Sequence, residues 1–302
     1  MLRQAAADAA GAQQFPAGAL YVVATPIGNL ADLTLRAIHV LALADAIACE
    51  DTRHTAPLLR QIGVVDKPLI ALHEHNERQA SDAVLARLER GERVAYVSDA
   101  GTPAISDPGA ALVAAVHAAG RRCVPVPGAS SAIAALSVAG DVAAGAFRFV
   151  GFLPAKGVDR ARAVAALAAN ADAQVLFEAP HRIAAFAAEV GAACGVRALT
   201  LCRELTKQFE TVATLPATEL SAWLAADPNR GRGEFVIVLH ALAIAADADS
   251  AAAENDDMLR VLLAAIPLKQ AVAVAAQLSG APRNRLYERA LGLKNTGDDA
   301  GT

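Results

Sequence analysis

Aromatic side chains are scarce in this sequence, at 4% of 302 residues, with a single Trp and three Tyr. Cysteine is nearly as rare. Cys49, Cys123, Cys194 and Cys202 form no CxxC pair, which excludes a disulfide framework or a cysteine-based zinc site and points to a reducing cytosol. A large excess of either charge is also missing. A net charge of -4 excludes a generally basic nucleic-acid binder, although it leaves room for a local basic patch. No uncharged run suits a membrane span. The longest, Ala9–Ala31 and Cys123–Gly140, are each broken by two prolines and by Gly, Ser, Thr or Asn. Arg3 is followed by Asp8 and no compact apolar stretch, so the N-terminus is a poor signal peptide. The GxGxxG dinucleotide fingerprint, the Walker phosphate loop, the nucleophile elbow and a Ser/His/Asp triad order are all absent.

What is present is apolar mass. Hydrophobic residues make up 55%, enough for a sizeable core, although alanine inflates that share. From Leu20 onward, short apolar runs alternate with turns and helical patterns. The runs Leu20–Ala24, Ala46–Cys49, Leu69–Leu72, Val94–Val97 and Cys123–Val126 predict strands. Thr34–Leu43, Thr55–Ile62, Glu77–Arg90 and Pro108–Ala119 predict the intervening helices, giving a parallel α/β sheet. A second series runs through Phe147–Val150, Val175–Phe177, Ala198–Cys202, Glu210–Thr214 and Phe235–His240. Leu199–Leu201 and Thr211–Ala213 are joined without a helix, so part of the second sheet is expected to be antiparallel. The expected organisation is a flexible N-terminal extension over 1–17 and α/β domains over 18–140 and 141–243. A linker follows over 244–256, then a helical segment and tail over 257–302. In that last segment Gly280 and Pro282 punctuate a helix–turn–helix pattern with Arg283, Arg285 and Arg289 on its second helix. Such a pattern suits nucleic acid, or is a plain helical cap with a basic face.

Ligands of open α/β sheets collect beyond the carboxyl ends of the strands, which directs attention to four loops. Ala24–Leu30 carries Ile27 and Gly28. Ser98–Gly109 packs two Pro, two Gly and two Asp into twelve residues. There Asp107 suits a helix N-cap, whereas Asp99 has no such structural role and is a candidate acceptor for a ligand hydroxyl or amine. Pro125–Ser131 ends in Ser130 and Ser131, which suit capping first and a ligand second. Glu178–Arg182 combines Glu, His and Arg, as a substrate contact or a surface ion-pair cluster. Two further polar clusters, Glu50–His54 and His73–Glu77, end strands on one predicted edge of the first sheet and could face one cleft. The histidine pair in the second lacks a third ligand at metal spacing, so no metal is expected.

These loops carry a resemblance. Leu20–Ala37, Cys49–Arg53, His73–Glu77, Val97–Gly109 and Pro127–Ser131 resemble the ribosomal RNA small subunit methyltransferase I family, a branch of the tetrapyrrole methylases. So do Gly151–Lys156, Phe177–Arg182, Arg203–Lys207 and Gly233–Val238, and the likeness runs in order over about residues 20–292. The resemblance implies two α/β domains with S-adenosyl-L-methionine in the cleft between them. It implies methylation of the ribose 2′-hydroxyl of a cytidine in 16S rRNA near the decoding centre of the small ribosomal subunit. It also implies a cytoplasmic homodimer with no membrane partner. By position, cofactor contacts are expected at Ile27, Gly28, Asp99, Gly101, Thr102, Ile105, Ser130, Ser131 and Phe177.

A ribose hydroxyl is a weak acid, so a base or hydrogen-bond acceptor assists its methylation. Asp51, Glu74, Glu77 and Glu178 are the candidates from this sequence, with solvent as the alternative. Arg53, Lys156, Arg182, Arg283, Arg285 and Arg289 are the expected RNA contacts, and with Arg60, Arg160 and Arg162 they would form the basic face that an acidic chain needs. A tetrapyrrole-type small-molecule methyltransferase and a non-catalytic ribosome assembly factor are the competing classes.

Overall fold

Every apolar run of the first half becomes a strand. In the computed structural model, which describes residues 2–73, 76–242 and 247–298, these are β1 (Ala19–Val23), β2 (Ala46–Cys49), β3 (Leu69–Ala71), β4 (Val94–Val97) and β5 (Arg122–Val126). They form one parallel sheet in the order β3-β2-β4-β1-β5. The strands are short and apolar on both faces because helices cover both. Tyr21, Val23, Ile47 and Ala95 pack on one side, and Leu20, Ala48, Val94 and Tyr96 on the other. The covering helices are α2 (Leu35–Leu43), α3 (Thr52–Gln61), α4 (Glu77–Glu89) and α5 (Ala110–Ala118). Thr34 caps α2 by accepting the Ala37 N–H at 3.1 Å. Strand order reverses between β4 and β1, so the loops after these two strands lie side by side, where an open α/β sheet forms its crevice.

The second sheet is mixed, as the helix-free junction predicts. It contains β6 (Phe147–Phe152), β7 (Ala173–Glu178), β8 (Ala198–Arg203), β9 (Thr211–Pro216) and β10 (Phe235–Leu239), in the order β6-β7-β10-β8-β9. Only β6 and β7 run parallel, and Leu201 pairs with Ala213 across the β8–β9 hairpin. One face is buried by α7 (Gly157–Ala169), α8 (Ile183–Cys194) and α9 (Leu220–Ala225), through a core that includes Leu167, Phe186, Leu201 and Ile237. The other face is covered by α6 (Ser131–Ala139), whose Ala132, Ala135 and Ala139 meet Val175, Val236 and Val238. By packing, α6 therefore belongs with the second sheet, ahead of the boundary expected at residue 140. The two sheets lie in one compact unit, Met1–Ala241.

Two other expectations are corrected. The N-terminal extension is not loose: Leu2–Ala10 is a helix, α1, that buries Ala6 and Ala10, and Arg3 donates to the Gly63 carbonyl at 3.1 Å. Its buried face consists of alanines, which give no bulky periodic signal to read. The expected linker is helical from Asp247, where α10 (Asp247–Ala265) begins, while 244–246 lie outside the described residues.

The described residues of the second unit, Leu242–Thr302, form three helices. α10, α11 (Leu268–Ser279) and α12 (Arg283–Asp298) enclose a small core of Leu259, Val272, Ala275, Leu286 and Ala290. Gly280 ends α11 in a left-handed conformation with φ 69°, the C-cap expected from the sequence.

Candidate active site

Backbone pairing locks the three glycine- and proline-rich loops of the first sheet to one another. Thr25 and Gly101 exchange N–H to carbonyl bonds of 2.9 and 3.1 Å, and the Thr25 hydroxyl donates to the Ser98 carbonyl at 3.3 Å. Thr102 then donates its hydroxyl to the Ala129 carbonyl at 3.0 Å, tying the loop after β4 to the one after β5. A loop from the second half closes over them. At Gly28 the backbone has φ 147°, and a Cβ would lie 2.5 Å from Lys207 Cγ, so only glycine lets Lys207 cross here. Lys207 belongs to the β8–β9 loop, which is itself strained: Glu204 and Thr206 hold φ of 52° and 67° without being glycine. Its ammonium donates to Glu204 Oε1 at 2.9 Å and Glu234 Oε2 at 3.0 Å. Burial lowers the Lys207 pKa, but these two carboxylates together raise it above its ordinary value.

Two adjoining cavities result. One, of about 360 Å³, is lined by Ile27, Ala100, Ser106, Asp107, Ser131, Phe152, Phe177 and Val236, among others. Phe177 stands edge-on to both Phe149 and Phe152, with ring centroids 5.3 and 5.6 Å away. The other, of about 480 Å³, is more polar and is lined by Gly28, His54, Gln61, Ser98, Asp99, Lys207 and Glu234 with Leu30 and Leu58. Ile27, Ala100 and Glu234 line both.

The structure sorts the expected cofactor contacts. Ile27, Ser131 and Phe177 line the smaller cavity, and Gly28 and Asp99 the larger. Gly101 and Thr102 act through the loop latches. Ile105 is 52% exposed and lines neither cavity. Ser130 occupies the N-cap of α6, but its hydroxyl makes no capping bond, contrary to the expected order of roles. Asp107 is not an N-cap either. Gly109 takes that position in α5, and Asp107 turns into the smaller cavity. Burial pushes the Asp107 carboxyl up, the Asp99 charge adds to the rise, and a hydrogen bond from Ser98 opposes it. Glu50 is raised in the same way, first by burial and then by the Asp107 charge.

The expected bases are mostly occupied. Asp51 caps α3 through the Arg53 N–H and holds the Arg53 guanidinium at 2.6 Å, which pulls its carboxyl down to about 2 and makes it a weak base. Glu77 accepts the Gly109 N–H at 3.0 Å and lines neither cavity. Glu74 lies outside the described residues. The Glu178 side chain is fully buried. Its oxygens lie 2.9 Å from Arg182 Nε and 3.5 Å from Arg160 Nη2, so two guanidinium groups hold it as a structural anion. Asp99 does have a structural role after all. It accepts the Asp51 N–H at 3.1 Å and meets His54 Nδ1 at 2.7 Å, a bond that raises the His54 pKa above its ordinary value.

Several expected RNA contacts are likewise engaged. Arg182 donates to the Leu153 carbonyl at 2.6 Å, and Arg160, only 6% exposed, joins Glu178 to Glu189. Neither belongs to a solvent-facing basic patch, because each is the counter-ion of a buried carboxylate. Arg289 is paired with Asp256 at 2.7 Å. Arg53, Arg60, Lys156, Arg283 and Arg285 are exposed.

Sequence reasoning gave no role to the Glu204–Lys207–Glu234 clasp, to His54 or to the inward turn of Asp107. The strings holding these residues were visible. The clasp sits on a loop with left-handed backbone at Glu204 and Thr206, which leaves no residue-type signal because neither is glycine.

Residues 19–221 match the model of the Tetrapyrrole (Corrin/Porphyrin) Methylases, and residues 249–294 that of the RsmI C-terminal HTH domain. The chain is 46% identical to Ribosomal RNA small subunit methyltransferase I of Pseudomonas aeruginosa, over 91% of this chain and 97% of that protein. It is 48% identical to the protein of the same name from Neisseria meningitidis serogroup A, over 92% of this chain and 94% of the relative. Among solved structures, uroporphyrin-III C-methyl transferase from Thermus thermophilus complexed with S-adenyl homocysteine shares the fold. It has a TM-score of 0.50 and 17% identity over 72% of this chain and 96% of that one. The chain belongs to the tetrapyrrole methylase family and, within it, to the ribosomal RNA small subunit methyltransferase I group.

Proposed function

We propose that this chain methylates the ribose 2′-hydroxyl of a cytidine in 16S rRNA near the decoding centre, using S-adenosyl-L-methionine. The observation that carries the proposal is the pair of adjoining cavities, one apolar and aromatic, one polar, in a chain at least 46% identical to two proteins named for rRNA methylation. The smaller cavity fits the cofactor. Phe152 and Phe177 offer faces to an adenine or an aliphatic chain, and Ser131 stands at the N-terminus of α6, where backbone N–H groups suit a carboxylate. When bound there, the cofactor supplies an electrophilic methyl group. The latched loops would hold the acceptor against it, and positioning of this kind accounts for much of the acceleration of a displacement.

Arg53, Arg60, Lys156, Arg283 and Arg285 supply phosphate contacts, so association with the subunit is expected to weaken with salt. Four free cysteines suit a reducing cytoplasm, and a homodimer is the expected assembly in this family. The test is transfer of radiolabelled methyl to 30S subunits from a strain lacking this enzyme, followed by nucleoside analysis. Label in 2′-O-methylcytidine supports the proposal. Cofactor binding with no label in RNA redirects the search to small-molecule acceptors, and the absence of both favours an assembly factor.

A further inference from the structure

We propose that the larger, polar cavity is the subsite for the acceptor nucleotide, and that His54, oriented by Asp99, takes the proton from its hydroxyl. This rests on the methyl-transfer reading above. The two cavities share Ile27, Ala100 and Glu234, so a hydroxyl on a nucleotide in the polar cavity reaches the apolar one across that common rim. The chemistry of the walls differs accordingly. Lys207 spends two ammonium hydrogens on Glu204 and Glu234, and the third remains for an acceptor oxygen.

Among the described residues His54 Nε2 makes no hydrogen bond, and its side chain lines this cavity. Asp99 Oδ2 meets Nδ1 at 2.7 Å, and Asp99 Oδ1 is itself fixed by the Asp51 N–H at 3.1 Å. The carboxylate therefore sets the tautomer with the proton on Nδ1. It leaves Nε2 as the acceptor, on a side chain that lines the cavity and is 67% exposed. A hydrogen-bonded carboxylate orients a base and stabilises the imidazolium that forms. Of the carboxylates named from the sequence, the three described ones are weaker candidates, because Asp51 is held by Arg53 and Glu178 by two arginines, while Glu77 lines neither cavity.

In the step, the hydroxyl proton moves to His54 Nε2 while the oxygen keeps the O–H electron pair and bonds to the methyl carbon. The pair of the broken carbon–sulfur bond leaves with sulfur, and the imidazolium returns its proton to solvent. The charges facing the imidazole are Asp99, Asp51 and Arg53, with Lys207 and Glu234 across the cavity. The carboxylates beside it favour the imidazolium, so the neutral base forms at higher pH than for a free histidine.

The test combines kinetics on 30S subunits with NMR titration of the imidazole. Wild-type kcat is expected to rise with pH through the His54 midpoint. His54→Gln is expected to lower kcat about 100-fold, as loss of a general base does, with little change in KM. Asp99→Asn is expected to lower the imidazole midpoint and to move the rise in kcat to lower pH with it. Retained kcat with raised KM in His54→Gln makes His54 an RNA contact and overturns the proposal. So does an Asp99→Asn variant whose imidazole midpoint falls while the kcat profile stays in place. If the wild type transfers no methyl to the subunit, the methyl-transfer reading fails first and takes this one with it.

Discussion

Two strand ends in this protein carry nearly the same residues and do opposite things. After β2 the chain reads Glu50-Asp51-Thr52-Arg53-His54, and after β7 it reads Glu178-Ala179-Pro180-His181-Arg182. The first cluster opens into solvent. Its arginine is 87% exposed, its aspartate caps a helix, and its histidine lines a cavity. The second turns inward. Its acid is fully buried between Arg160 and Arg182, which also hold the carbonyls of Leu153 and Pro154. Composition alone does not separate chemistry from architecture here. The difference lies in the partner: the β7 cluster receives a second arginine from α7, and the β2 cluster receives Asp99 from the loop after β4.

The comparison breaks most visibly at Glu178. Glu178→Ala leaves half-buried Arg182 without its anion and buried Arg160 with Glu189 alone, and is expected to cost about 3 kcal/mol in urea unfolding. The matching change after β2, Asp51→Ala, removes a helix cap at the surface and is expected to cost less. Equal costs would show that the two clusters are not different in kind.

The two sheets also differ in their histidines, and pH separates them. His240 ends β10, buried beside Arg197 and bonded to Thr200 at 2.8 Å. Burial holds its pKa below the ordinary value, with the Arg197 charge adding to the effect and Asp141 opposing it. A group that charges less readily in the fold than in the unfolded chain stabilises the fold above its unfolded pKa, about 6.5. Its contribution is therefore full at neutral pH and falls as pH drops below about 6.5. His54 runs the other way. Its raised pKa gives a contribution present below about 6.5 and lost as pH rises through the folded value. NMR titration is expected to place the two midpoints on opposite sides of 6.5. Both midpoints on one side would contradict the structural difference.

Much of this architecture was legible. Both strand series and the antiparallel junction follow from apolar runs and from the lengths between them. α1 was not legible, because a face of alanines packs well yet carries no periodic bulk. α10 begins within an Ala/Asp/Ser stretch whose composition suits a linker as well as a helix. At the site, the loops were visible as dense Pro and Gly segments, but the role of each acid was not. Whether Asp51 or Glu178 is free depends on arginines and N–H groups placed by the fold. Asp107 shows the limit most clearly, since Asp-Pro predicts a cap and the chain places the cap at Gly109.

The most direct check concerns the division of labour between the cavities. Equilibrium binding of S-adenosylhomocysteine, measured by calorimetry on the wild type, Phe177→Ala and His54→Gln, separates them. Phe177→Ala is expected to weaken binding about tenfold, equivalent to about 1.4 kcal/mol, while His54→Gln stays within about twofold of the wild type. Tight binding in Phe177→Ala together with a large loss in His54→Gln would place the cofactor in the polar cavity and contradict the assignment.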